Sequence, residues 1–135
     1  MTLDSSGSGD FGARDEVELR LPADGAYASV LRTTAAGLAA RLDLTLDDIE
    51  DLRVAIGEAS ALVLPAASVG SDLRCTFGLA PDRLSVSIRV ETGRVFEIDR
   101  DSFTWQVLTT MATEVEVDAT SDSFTVQLTM VSSAS

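Results

Sequence analysis

Along residues 46–66 the apolar side chains Ile49, Leu52, Ile56, Ala59 and Val63 recur at the helical period and predict one core-facing stripe, with Asp51, Ala55, Glu58 and Leu62 along its flank. Thr45 just before this stretch and Asp48 three residues on form a capping-box arrangement, in which two side chains satisfy orphan backbone donors of the first turn. Upstream, Val17, Leu19 and Leu21 alternate as a strand that Pro22 and Gly25 close. A helix follows in which Tyr27, Val30, Leu31, Thr34, Leu38 and Leu42 recur at helical spacing. Downstream, Leu73, Cys75, Phe77 and Leu79 alternate with Arg74, Thr76 and Gly78, and Leu84, Val86, Ile88 and Val90 alternate likewise, with a turn at residues 80–82. These two runs predict a hairpin. A last helix over residues 102–113 presents Phe103, Val107, Leu108 and Met111 to the core. Two closing strands carry Val115 and Val117, then Phe124, Val126, Leu128 and Met130, around a turn at residues 120–122. Each strand has a single apolar face. The pattern therefore predicts an α/β two-layer sandwich: a mixed, mostly antiparallel sheet of about five strands, covered on one face by three helices.

The chain has 135 residues, enough for one domain that buries a core without staples, and a hydrophobic share of 45% supports a compact fold. Residues 1–14 are rich in Ser, Gly and Asp and read as a disordered arm, residues 15–131 as the single domain, and residues 132–135 as a tail. A formal net charge of −12 without any histidine argues against nucleic-acid binding, because phosphate repulsion would have to be overcome by a dense basic patch. Such acidity suits a basic protein partner, and it equally serves solubility alone. Cys75 is the one cysteine, so neither an intrachain disulfide nor a cysteine-cluster zinc site can form, and its strand context makes it a buried thiol. No metal site is expected. The sequence shows neither a membrane-spanning run nor a signal peptide, which points to a cytoplasmic protein.

The segment VELRLPADGAYASVLRTTAAGLAARLDLTLDDIEDLRVAIGEAS resembles the amino-terminal half of the RsbW-type anti-sigma factors, serine kinases of the GHKL (histidine kinase/Hsp90-like) ATPase superfamily. SFTWQVLTTMATEVEV is similar to that family's second glycine box and following helix, in the style of its actinobacterial UsfX-type branch. The resemblance runs from Val17 to Met130 and implies the Bergerat ATPase fold. In such families the central helix carries Glu and, four residues later, Asn: a carboxylate to orient or deprotonate the attacking hydroxyl, and an amide oxygen to hold Mg²⁺. Here Glu58 matches the Glu, and Leu62 stands for the Asn with no oxygen to offer. Glu91, Thr92 and Gly93 match an Asp-x-Gly box, the carboxylate being one methylene longer. Ser102, Phe103, Thr104 and Trp105 stand where Gly-x-Gly-Leu is usual, without the glycines that let backbone amides approach phosphate. Residues 97–101, between Phe96 and Ser102, are too few for an ATP lid. The implied nucleotide set of Glu58, Leu62, Glu91, Gly93, Ser102 and Thr104 is thus degenerate, with Glu58 a vestigial general base and no cofactor expected, Mg-ATP being the single candidate.

The resemblance implies an anti-sigma factor: a homodimer that sequesters an RNA polymerase sigma subunit and is countered by a STAS-domain anti-anti-sigma protein, with kinase activity weakened or lost. Asp24, Tyr27, Ser29 and Arg32 would form the sigma-facing surface, Arg32 pointing away from the apolar stripe of its helix. The alternatives are an active Mg-ATP-dependent serine kinase acting on the STAS partner through Glu58, and a scaffold that has lost both roles. Blander readings attach to single residues. Glu58 can pair with Arg53 or Arg74, Glu91 and Gly93 can simply end a hairpin, Arg32 can be a surface arginine without a role, and Trp105 can be a rim, interface or partly buried core residue.

Overall fold

The computed structural model describes residues 15–134, so the arm expected over residues 1–14 lies outside the described residues. Strand β1 (Asp15–Pro22) leads through a single 3₁₀ turn (Gly25–Tyr27) into helix α1 (Ala28–Ala39). Helix α2 (Leu46–Val63) runs into a second 3₁₀ turn (Leu64–Ala66) and is followed by the hairpin β2 (Asp72–Ala80) and β3 (Arg83–Glu91). Helix α3 (Phe103–Met111) and the hairpin β4 (Glu114–Ala119) and β5 (Ser123–Val131) complete the chain. The sheet order is β1-β2-β3-β5-β4, and every pairing is antiparallel, where a mixed sheet was expected. The reason is an insertion: β4 runs parallel to β3, but β5 lies between them and meets both antiparallel.

The strand alternation holds throughout. Leu73, Cys75, Phe77, Leu84, Val86, Ile88, Val90, Phe124, Val126, Leu128 and Met130 are buried on the face that the helices cover. Val17, Leu19 and Leu21 on edge strand β1 are only half-buried but pack on the same core. Burial of Cys75 pushes its thiol up to about 12 from an ordinary 9.0. From α2, Leu52, Ile56, Ala59 and Val63 fill the centre, as their spacing predicts. Ala55, expected on the flank, is fully buried, because both α1 and α3 pack against α2 and leave that side covered.

Two helices bury only part of the face expected of them, each leaving its first large apolar residues at the rim. In α1 the buried line is Leu31, Ala35 and Ala39, while Tyr27 and Val30 are exposed. Small alanines let α1 lie close to its neighbours, and the larger apolar residues are left at the rim. In α3 only Leu108 is buried, with Val107 and Met111 partly so, and Phe103 is 78% exposed. Ser102 fixes the start of this nine-residue helix by accepting from Trp105 N at 3.1 Å, which puts Phe103 in the first turn at the edge of the core. Trp105 is the partly buried residue, packed on the core with the Arg100 guanidinium 4.7 Å from its ring centroid.

The capping box of α2 forms as expected: Thr45 Oγ1 accepts from Asp48 N at 3.0 Å, and Asp48 Oδ2 accepts from Thr45 N at 2.9 Å. Residues 132–134, expected as a tail, fasten onto it. Ser133 N donates to the same Asp48 Oδ2 at 3.0 Å, Ser132 Oγ donates to Asp43 O at 2.8 Å, and Ser132 N donates to Asp82 O at 2.8 Å. The end of the chain thus ties the β2–β3 turn to the entry of α2.

Candidate functional site

Helix α2 sets the first group of candidate residues. Glu58 and Leu62 stand one turn apart, Glu58 half-buried and Leu62 packed against the core. Among the described residues Glu58 forms no salt bridge, so neither the Arg53 nor the Arg74 pairing occurs. Arg74 lies on the open face of the sheet, across from α2, and Arg53 projects from another side of the helix five residues earlier. Leu62 presents only hydrocarbon, which cannot ligate a hard cation. Among the described residues no group of three His, Cys, Asp or Glu side chains gathers to hold a metal ion.

Glu91 ends β3 with its carboxylate exposed and its backbone locked to the loop after α2. Its carbonyl accepts from Ser68 N at 2.8 Å and Ser68 Oγ at 3.1 Å, and its own N–H donates to Ser71 Oγ at 3.2 Å. These bonds bring Gly93 beside the end of α2, where Pro65, Ala66, Ala67, Ser68, Gly93, Arg94 and Phe96 line an open depression of about 290 Å³. Phe96 anchors the loop by meeting Phe124 edge-on, ring centroids 4.9 Å apart. Glu58, Leu62, Ser102 and Thr104 do not line this depression. Ser102 instead caps α3, and Thr104 is half-buried on that helix.

The second group lies at the start of α1. Asp24 caps the 3₁₀ turn, accepting from Ala26 N at 2.9 Å; Tyr27 and Ser29 are exposed. Arg32 is half-buried, contrary to the expectation that it points freely away from the packed side of its helix: it lies across Gly57 of α2. A Cβ at Gly57 would sit 3.5 Å from Arg32 Nη1 and 3.8 Å from its Cδ. Arg32 therefore reaches the residue next to Glu58, and the two groups of candidates adjoin.

No family model matches the chain. In sequence it matches the serine-protein kinase RsbW of Bacillus velezensis, 34% identical over 89 residues that make up 64% of this chain and 55% of the relative. The serine-protein kinase RsbW of Bacillus cereus strain Q1 is 36% identical over 77 residues, 55% of this chain and 48% of the relative. A solved structure of the RsbU and RsbW domains of a Mycobacterium tuberculosis protein superposes with a TM-score of 0.66 over 87% of this chain and 32% of the other, at 17% identity. The chain is RsbW-like in sequence and in fold. It spans about half the length of the curated RsbW relatives it matches.

Three features of this RsbW-like domain escaped the sequence reading. Gly57 is an isolated helix-interior glycine on the face that Arg32 crosses, a residue that costs about 1 kcal/mol against alanine. Thr92, in the Glu91-Thr92-Gly93 box, is buried with its Oγ1 unpartnered, although its N–H donates to Asp122 O at 2.9 Å. The clasp of Ser133 on Asp48 joins residues 85 apart, which no local pattern encodes.

Proposed function

We propose that this chain is an RsbW-like anti-sigma factor of the UsfX type that sequesters an RNA polymerase sigma subunit by protein contact, its phosphoryl-transfer function weakened or lost. The observation that carries this reading is the fate of the central helix. Leu62 has joined the core where the family keeps an amide, while Arg32 next door remains at the surface over Gly57. Mg-ATP does not suit the groups present. Leu62 supplies no oxygen, Ser102 already occupies the first-turn amide of Trp105, and the depression at Gly93 leaves out Glu58. The working surface is then the start of α1, where Tyr27 and Val30 are exposed beside Ser29, Asp24 and Arg32. An amphipathic patch of this kind, an aromatic and a valine flanked by an arginine, suits a protein interface. In this reading the protein works as a cytoplasmic homodimer, and a STAS-domain antagonist competes with the sigma subunit for it.

The test is a pull-down from native host lysate without added nucleotide, with mass spectrometry of what is retained. A sigma subunit is the expected catch, and Arg32→Glu is expected to lower its retention at least tenfold with an unchanged circular-dichroism spectrum. Recovery of neither a sigma subunit nor a STAS protein defeats the proposal. A second reading is favoured by Glu58, which keeps its place on α2 and makes no salt bridge among the described residues: a serine kinase acting on the STAS partner. Phosphate transfer from Mg-ATP that disappears in Glu58→Ala would establish it, and Leu62→Asn should then raise the rate.

A further inference from the structure

All ten basic residues of the chain are arginines, and four of them, Arg20, Arg74, Arg83 and Arg89, stand on the sheet face that no helix covers. Three share one rung: the register sets Arg20 opposite Arg74 and Arg74 opposite Arg89, side by side across β1, β2 and β3. All three are exposed, and among the described residues only Arg20 has an ion-pair partner, Asp72 at 3.5 Å. Like charges directly opposite one another work against a sheet, so the rung does not serve the fold. Two carboxylates stand one rung further along the same face, Asp72 two residues from Arg74 and Glu91 two from Arg89, and these four groups line a hollow of about 90 Å³. On the other side of the rung the surface is low and neutral: Thr76 faces Ser87, and Gly78 faces Ser85. Glu18 on β1 and Glu116 on β4 bound this strip at the two edge strands.

We propose that the arginine rung is a docking site for a helix of a protein partner that carries acidic residues along one flank, the helix lying over the Thr76–Ser87 strip with that flank against Arg20, Arg74 and Arg89. Pitch selects the occupant. Neighbouring strands are about 4.8 Å apart, so the three arginine stems span about 10 Å. Acidic residues on successive turns of a helix repeat at about 5.4 Å, which gives about 11 Å over two turns, a mismatch that flexible arginines absorb. Alternate residues of a strand repeat at about 6.8 Å and overshoot the rung by about 4 Å. Each guanidinium presents a planar fork that suits two-pronged contact with a carboxylate. Asp72 and Glu91 repel an acidic flank from the far side of the rung, which confines the helix to the strip. This surface lies across the sheet from the start of α1, so the docking site does not depend on the sigma-sequestration reading.

The probe is a stapled, alanine-rich peptide helix with Glu at i, i+4 and i+7, titrated at low salt into the ¹⁵N-labelled full chain. It is compared with a stapled helix of the same composition whose three Glu point to different sides. The net charge of −12 repels both peptides alike, so the ratio of their affinities reads the rung. Amide shifts confined to the surroundings of Arg20, Arg74, Arg89, Thr76 and Ser87 are expected, with the one-sided peptide binding about tenfold more tightly than the scattered one. Arg74→Thr and Arg89→Thr should each weaken binding about threefold. Arg83→Thr, an equal loss of charge on the same face outside the rung, should leave it unchanged. Arg74→Gln and Arg89→Gln stand in if a threonine variant does not fold. Equal affinity of the two peptides, an equal loss in Arg83→Thr, or no shift at millimolar peptide overturns the proposal. So does inorganic phosphate that moves the same amides as strongly at equal charge, which would make the rung a general anion site. Shifts of these amides on raising the protein concentration alone would assign the rung to a second copy of the chain and overturn it as well.

Discussion

Asp48 shows how much one side chain can hold. A single oxygen, Oδ2, accepts from Thr45 N and from Ser133 N, so the carboxylate joins the start of α2 to the end of the chain. Burial acts to raise its pKa, but the Ser133 and Thr45 backbone bonds, with their hydroxyls, outweigh burial and hold the group below its ordinary 3.8. A depressed carboxylate contributes stability that is complete above its unfolded value and is lost as pH falls through the lower native one. Wild type should therefore lose part of its urea resistance below about pH 3.8, and Asp48→Ala should lose that pH step. At pH 7, Asp48→Ala is expected to cost about 2 kcal/mol, since it removes both a cap and the acceptor for Ser133, and Asp48→Asn less. Equal urea midpoints for wild type and Asp48→Ala would show that the clasp contributes nothing. Half of this residue's role was legible: the Thr45–Asp48 box lies within four residues of sequence, whereas the Ser133 bond depends on the sheet delivering β5 beside α2.

At the scale of elements, the strands were legible because a period of two leaves little choice of face, and a slip of one residue would expose the whole apolar set. Helix α1 was harder: apolar residues lie on several sides of it, and the inward face, Leu31, Ala35 and Ala39, was chosen by how closely α2 and the sheet approach. The polar side of the sheet carries a feature that only the register reveals. Arg20 pairs with Arg74, and Arg74 with Arg89, so three arginines stand in one row across β1, β2 and β3. Only Arg20 finds an anion among the described residues, Asp72 at 3.5 Å, and that pair is solvent-exposed. Like charges directly opposite one another destabilise a sheet, while threonine is a good strand residue at such a site. Arg74→Thr is therefore expected to stabilise the fold by about 0.5 kcal/mol, read as a higher urea midpoint with an unchanged slope. A lower midpoint would mean that the row is held together by contacts that outweigh its repulsion.

For the whole molecule the dominant fact is a net charge of −12 on 135 residues, with a single salt bridge among the described ones. The acidic side chains are spread over β1, the start of α2, and β4, so repulsion between them is long-ranged and passes largely through solvent. Such repulsion disfavours the compact state and is screened once the Debye length shrinks to the spacing of surface charges, about 10 Å at 0.1 M salt. Melting temperature should accordingly rise between 10 and 200 mM sodium chloride, most steeply at the low end, and stay nearly flat beyond, where the one exposed ion pair is already screened. Sodium sulfate would mix screening with a general strengthening of apolar burial, so chloride is the cleaner salt. A falling melting temperature would mean that attraction between charges outweighs repulsion in the fold. On the proposed sequestration reading the same field bears on the partner: a sigma subunit that docks through basic residues would relieve the repulsion, so its affinity should fall with added salt while the free protein gains stability. Opposite salt slopes for binding and for melting are the signature expected of an acidic sequestering protein, and parallel slopes would leave its charge with solubility as its sole task.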